Sequence, residues 1–145
     1  MTESVTTTDA AMDAFLTKPR YGILATNRED GSPIAVPVWF EWDGSIVRMF
    51  SSASSPKVRR LQQDARASLL VTNDIDEQEA WIAFDGTIVI SDEGAIELAE
   101  RLAPRYWDLS DPTRKDTLET WRKGASGFQM LELTPNAIRT YGTLA

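Results

Sequence analysis

Apolar and polar residues alternate with a period of two in some stretches of the chain and follow helical spacing in others. The clearest alternation runs from Ile34 to Trp42. Ile34, Val36, Val38, Phe40 and Trp42 share one face, and Ala35, Pro37, Trp39 and Glu41 share the other, so one face is core. Tyr21 to Thr26 before it and Ile46 to Phe50 after it also read as strands. The connecting segments, Asn27-Arg28-Glu29-Asp30-Gly31 and Asp43-Gly44, carry the Asp-Gly pairs of tight hairpin turns, which predicts a three-stranded meander. Pro37 cannot donate to a strand ladder, so its strand lies at an edge, is bent, or leaves backbone free for another partner. Ala67 to Thr72, Trp81 to Ile90, Phe128 to Leu133 and Ala137 to Tyr141 complete six or seven strands, and Gly86 marks a bulge or a close backbone approach.

Helical spacing appears after Thr8-Asp9 through Leu16, with Pro19 ending the segment, and again from Ser55 to about Asp64. Two more helices are predicted, Asp92 to about Arg105 and Pro112 to about Lys123, the second stopped by Gly124. The turns between the first strands are too short for a crossover helix, which excludes a regular parallel α/β sheet. The pattern predicts a mainly β, α+β fold: a closed or partly closed antiparallel barrel with peripheral helices.

At 145 residues and 42% hydrophobic content the chain is expected to form one domain over residues 1–145, with residues 1–8 a flexible polar tail. The N-terminus lacks the basic and apolar regions of a secretion signal, and no apolar run approaches the roughly 18 residues of a membrane span. A cytoplasmic, membrane-free protein is expected. Cysteine and histidine are both absent, which removes thiolate and imidazole metal sites and Ser-His-Asp or Cys-His catalysis. Carboxylates, tyrosine, lysine and arginine remain as proton carriers, so redox or group-transfer chemistry would belong to a bound organic cofactor. A net charge of −7 argues against nucleic acid as a partner.

Against that charge, Arg48, Lys57, Arg59 and Arg60 fall in a stretch from Gly44 to Gln63 with no Asp or Glu. The centre of this stretch is Ser51-Ser52-Ala53-Ser54-Ser55-Pro56-Lys57, a strand end running into a helix start. Ser55 suits the N-cap and Pro56 the first helical position; the free N–H groups and dipole of the first turn favour an anion there. Two readings stand: a phosphate-binding corner with Ser51, Ser52, Ser55 and Lys57 as donors, or an ordinary capped helix with a solvated basic face.

Gly22-Ile23-Leu24-Ala25-Thr26, Asp30-Gly31-Ser32-Pro33, Val36-Pro37-Val38-Trp39-Phe40 and Ser55-Pro56-Lys57-Val58-Arg59-Arg60-Leu61 with Asp64-Ala65-Arg66 resemble, in this order, the pyridoxamine 5'-phosphate oxidase-like split-barrel proteins. These include FMN- and F420-dependent reductases. The similarity spans about Ala14 to Ile90, with Leu131 to Tyr141 matching the closing strands more weakly. The resemblance implies a six- to seven-stranded, Greek-key-like split β-barrel that forms a homodimer, with FMN or F420 in a groove at the interface. It places the cofactor phosphate at Ser51, Ser52, Ser55 and Lys57, with Arg60 where relatives often carry asparagine. Pro37, Val38 and Trp39 would pass along the cofactor ring. The histidine that holds substrate in the true pyridoxamine phosphate oxidases is missing, so that substrate is not carried over. The expected activity is hydride transfer between bound FMN or F420 and a small flat electrophile. A non-catalytic flavin or F420 carrier or sensor, and an interaction module without cofactor, are the alternatives. Arg59, Arg60 and Arg48 are candidates for the anionic tail of F420.

Overall fold

The computed structural model describes residues 9–144, so the tail expected over residues 1–8 lies outside them. Seven strands form one antiparallel sheet: β1 (Gly22–Asn27), β2 (Pro33–Val38), β3 (Glu41–Trp42), β4 (Val47–Ser52), β5 (Arg66–Thr72), β6 (Ala80–Ser91) and β7 (Phe128–Gly142). The spatial order is β2-β1-β5-β6-β7-β4-β3. Four helices accompany it: α1 (Asp9–Thr17), α2 (Pro56–Gln63), α3 (Ala95–Tyr106) and α4 (Pro112–Lys123). The fold is α+β, as the alternation predicts.

The strand expected from Ile34 to Trp42 is broken at Trp39-Phe40, and its two parts go to opposite edges of the sheet. β2 pairs with β1, whereas β3 pairs with β4 and β4 with β7, so the predicted meander is not formed. Two residues span only a few ångströms, which forces the two edges close together and curls the sheet into a barrel. No ladder joins β2 to β3 or β4, and the barrel is split along that line. Pro37 accordingly sits on an edge strand, where a missing N–H is tolerated.

The inward positions form a continuous core of Leu24, Phe40, Val47, Met49, Leu69, Val71, Ile82, Phe84, Leu131 and Leu133, all fully buried. α2 is amphipathic and plugs one end with Val58 and Leu61, packing on β1, β4 and β6. α1 packs beside β3, with Phe15 and Leu16 in the same core. A second, smaller cluster lies on the outer face of β4 and β7, where Leu98 and Leu102 of α3 meet Met130, Phe50 and Trp39.

The sixth and seventh strands expected in the sequence are one, because Pro135 does not end β7. Asp85 pairs with Ala137 and Gly86 with Pro135, so Asn136 is the extra residue of a β-bulge that carries the ladder past the proline. Gly86 is required there: a Cβ would collide with the carbonyl oxygen of Thr134. No helix of the described residues is long and apolar enough to cross a membrane.

Candidate functional site

The strand-to-helix corner is built by β4 and α2. Along β4, Val47 and Met49 point into the barrel, and the next inward position, at the barrel mouth, is Ser51, buried at 6% exposure. Ser55 caps α2, its hydroxyl accepting from the Val58 N–H at 3.2 Å, and Pro56 opens the first turn. The Ser51 and Ser55 hydroxyls are 2.8 Å apart, and the Lys57 ammonium donates to Ser51 Oγ at 3.4 Å. One turn on, Arg60 Nε donates to Thr26 Oγ1 at 3.1 Å, bridging α2 to the end of β1. Ser52 is exposed and bonds Ser54, away from this cluster.

Electrostatically the corner is one-sided. Burial, and then the positive charge of Arg60, pull the Lys57 ammonium below its ordinary value of 10.5. No carboxylate forms an ion pair with Lys57 or Arg60 among the described residues. Arg48 does not belong to this charge, since it is clamped between Asp43 and Glu132. That neutralises one of the four basic residues that stood out in the sequence.

The other three predicted residues diverge. Pro37 is exposed on the outer face of β2, in register with Ile23, while Val38 turns into the core. Trp39 packs on the outer face of β4 beside Phe50, on the side opposite Ser51. It stacks on Tyr106 with ring centroids 5.0 Å apart and meets Trp107 at 4.7 Å and Trp121 at 6.0 Å. The structure therefore groups Ser51, Ser55, Lys57 and Arg60, leaves Pro37 on the outer sheet face, and seats Trp39 under α3 and α4.

Beside Pro37 the outer face of the sheet is hollowed. A cleft of about 420 Å³ is lined by Ile23, Ala25, Ala35, Leu70, Trp81 and Arg139. It adjoins a second of about 410 Å³, sharing Ala25 and Ser68, that reaches Thr26, Arg66 and Asp85. Thr26 borders this second cleft, while its side chain, on the buried face of β1 with Leu24, is the acceptor for Arg60. Within the cleft the Asp85 carboxylate accepts from Arg139 at 2.6 and 2.9 Å and from Ser68 at 2.6 Å. The Arg139 hydrogen bonds hold it below the usual carboxylate range, and the Ser68 hydroxyl adds to the effect. Sequence reading missed Ser68, Asp85 and Arg139. Strand alternation puts each on the outer face, but only the cross-strand register brings them together.

The structure is thus an antiparallel split barrel with a cationic corner at a helix start and a separate cleft on the outer sheet face. The sequence model for pyridoxamine 5'-phosphate oxidase matches residues 8–142, and the chain belongs to that family. No curated protein sequence matches the chain. Among solved structures, an F420 reductase superposes with a TM-score of 0.71 at 24% identity, covering 87% of this chain and 94% of its own. A conserved hypothetical protein from Mycobacterium tuberculosis gives 0.71 at 21% identity, with coverages of 97% and 89%. An FMN-binding protein related to pyridoxamine 5'-phosphate oxidase from Nostoc punctiforme gives 0.60 at 15%, with coverages of 90% and 81%. At these identities the likeness is one of fold.

Proposed function

We propose that the protein is a cytoplasmic oxidoreductase that binds FMN or F420 with its phosphate at Ser51, Ser55, Lys57 and Arg60 and its ring in the outer-face cleft. The observation that carries this reading is the half-buried Lys57 held beside Arg60 with no carboxylate paired to either among the described residues. Two cations brought together in a partly desolvated site repel, and an anion relieves that cost. The cleft also fits a flat ring: Ala25 and Ala35 contribute only methyl groups to its wall, and Ile23, Leu70 and Trp81 add apolar surface.

Either cofactor, once bound, supplies hydride chemistry to a small flat electrophile stacked on the ring. The chain's own part is to bind and orient. Lys57 and Arg60 neutralise the phosphate, Pro37 and Val38 bring edge backbone along the cleft, and Ile23 and Trp81 exclude water. Asp85 is committed to Arg139 and stays ionised at neutral pH, so it accepts hydrogen bonds and holds no transferable proton. Trp39 contributes by stiffening the β2–β3 corner from behind. Rate should therefore follow ring geometry rather than any single acid or base.

Absorption and fluorescence titration of the purified protein with FMN and with F420 tests the reading. Lys57→Ala should weaken binding by roughly tenfold to a hundredfold, the worth of a charge-assisted phosphate contact of about 1.5–3 kcal/mol, with an unchanged circular dichroism spectrum. Unchanged affinity in the folded variant would overturn the phosphate corner. In single-turnover mixing of the reduced complex with quinone-like acceptors, tight binding without transfer to any of them would make the protein a carrier.

A further inference from the structure

The chain has four lysines, and the fold sets one of them apart. Lys18 is exposed and paired with Glu77 at 3.3 Å, and Lys115 and Lys123 are exposed on α4. Lys57 is half-buried, and among the described residues no carboxylate pairs with it. Its nearest polar neighbours are Ser51 Oγ, at 3.4 Å, and the Arg60 cation. An amine withdrawn from water beside a second positive charge gives up its proton more readily, and this is how lysines become nucleophiles. Burial first and Arg60 second lower the Lys57 pKa in this way.

The groups around the amine select the electrophile. The Ser51 and Ser55 hydroxyls lie 2.8 Å apart at the same corner. Arg60 engages Thr26 through Nε, and no partner holds its terminal nitrogens among the described residues. These donors suit a phosphate. A phosphate seated on them brings the atom bonded to its bridging oxygen within reach of Lys57 Nζ. In an acyl phosphate that atom is an electrophilic carbonyl carbon, and the phosphate is the leaving group.

The geometry points to Lys57 as an acyl-acceptor site, its Nζ attacking the carbonyl carbon of an acyl phosphate whose phosphate rests on Arg60, Ser51 and Ser55. This rests on the phosphate corner assigned above. A C–N bond forms as the C–O bond to phosphate breaks, the bonding pair leaves with the phosphate, and the surplus amine proton passes to that phosphate or to water. Arg60 and the two hydroxyls hold the reactant and stabilise the charge that develops on the leaving group. The product is a neutral amide, so the corner loses one of its two cations. Acylation of Lys57 thereby converts the supply of acyl phosphate into a loss of anion binding at the same place.

Incubation of the full chain with acetyl phosphate, followed by peptide mass spectrometry, tests the inference, with Lys18, Lys115 and Lys123 as internal references. Lys57 should be acetylated at least about tenfold faster than those three, the factor that one charge-assisted contact to the leaving phosphate supplies. Inorganic phosphate should protect Lys57 and leave the references unchanged, a comparison that needs no variant. Arg60→Gln, with folding checked by circular dichroism, should bring Lys57 down to their rate. Equal acetylation of all four lysines would overturn the inference. So would the same preference for Lys57 with N-hydroxysuccinimide acetate, which has no phosphate to anchor. Calorimetric titration with inorganic phosphate separates this site from the corner beneath it. The acetylated chain should bind phosphate as weakly as Lys57→Gln does. Phosphate binding that weakens in Lys57→Gln, without selective acetylation, sinks the acyl-acceptor site alone, whereas no phosphate binding to wild type sinks the corner as well.

Discussion

Among the described residues no carboxylate pairs with Lys57, and its titration should report on the ligand. Its folded-state pKa lies below 10.5 because burial and Arg60 both disfavour the ammonium. The sign follows from proton counting. Between that lowered pKa and 10.5 the unfolded chain holds more protons than the folded one, so this group's contribution to apo stability rises with pH in that window. A bound phosphate favours the ammonium and works in the opposite direction. Cofactor affinity is therefore predicted to fall as pH rises through the lowered pKa, with the loss under way before 10.5, and to lose this dependence in Lys57→Gln. Calorimetric titration between neutral and alkaline pH measures it. A flat profile in wild type would mean that Lys57 does not face the phosphate.

Among the elements, the β6–β7 bulge is the most exacting. Gly86→Ala would drive a methyl group into the Thr134 carbonyl, backbone that can move only by shifting the ladder. A loss of about 3 kcal/mol is expected, read as a lower urea midpoint at unchanged slope. The same elements show what was legible in the chain. The strands and α2 were readable because alternation, the Ser55 cap and Pro56 are local signals. The break at Trp39-Phe40 was not, because Phe40 and Trp42 keep the parity of Ile34, Val36 and Val38 across the crossing. A chain can leave one sheet edge for the other without disturbing its pattern. Pro135 reads as a strand end, but a bulge absorbs it. The grouping of Ser51, Ser55 and Lys57 was legible for the same local reason, whereas the Ser68, Asp85 and Arg139 cluster depends on register between three strands. Trp39 was correctly set opposite the core face, yet its partners on α3 and α4 lie more than sixty residues away.

For the whole molecule, the outer sheet face is the surface in need of a cover. Leu70 and Tyr141 are exposed at 38% and 52%, beside the cleft walls Ile23 and Trp81. A second copy seated there would bury them and close the cleft over its ligand, so a homodimer is predicted by light scattering at micromolar concentration. Leu70→Glu/Tyr141→Glu should yield monomers and weaken cofactor binding in step. A wild-type monomer that binds cofactor fully would remove this face from the site. The two-residue crossing at Trp39-Phe40 also dictates an order of assembly. β1, β2 and β5 can pair early, but β4 has only the short β3 beside it until β7, its long partner and the last of the seven strands, is in place. Barrel closure consequently waits for β7 and is a long-range contact of the slow kind. Until then β4 and β6 carry open edges, and Arg48, whose partner Glu132 arrives only with β7, puts a charge on one of them while it waits.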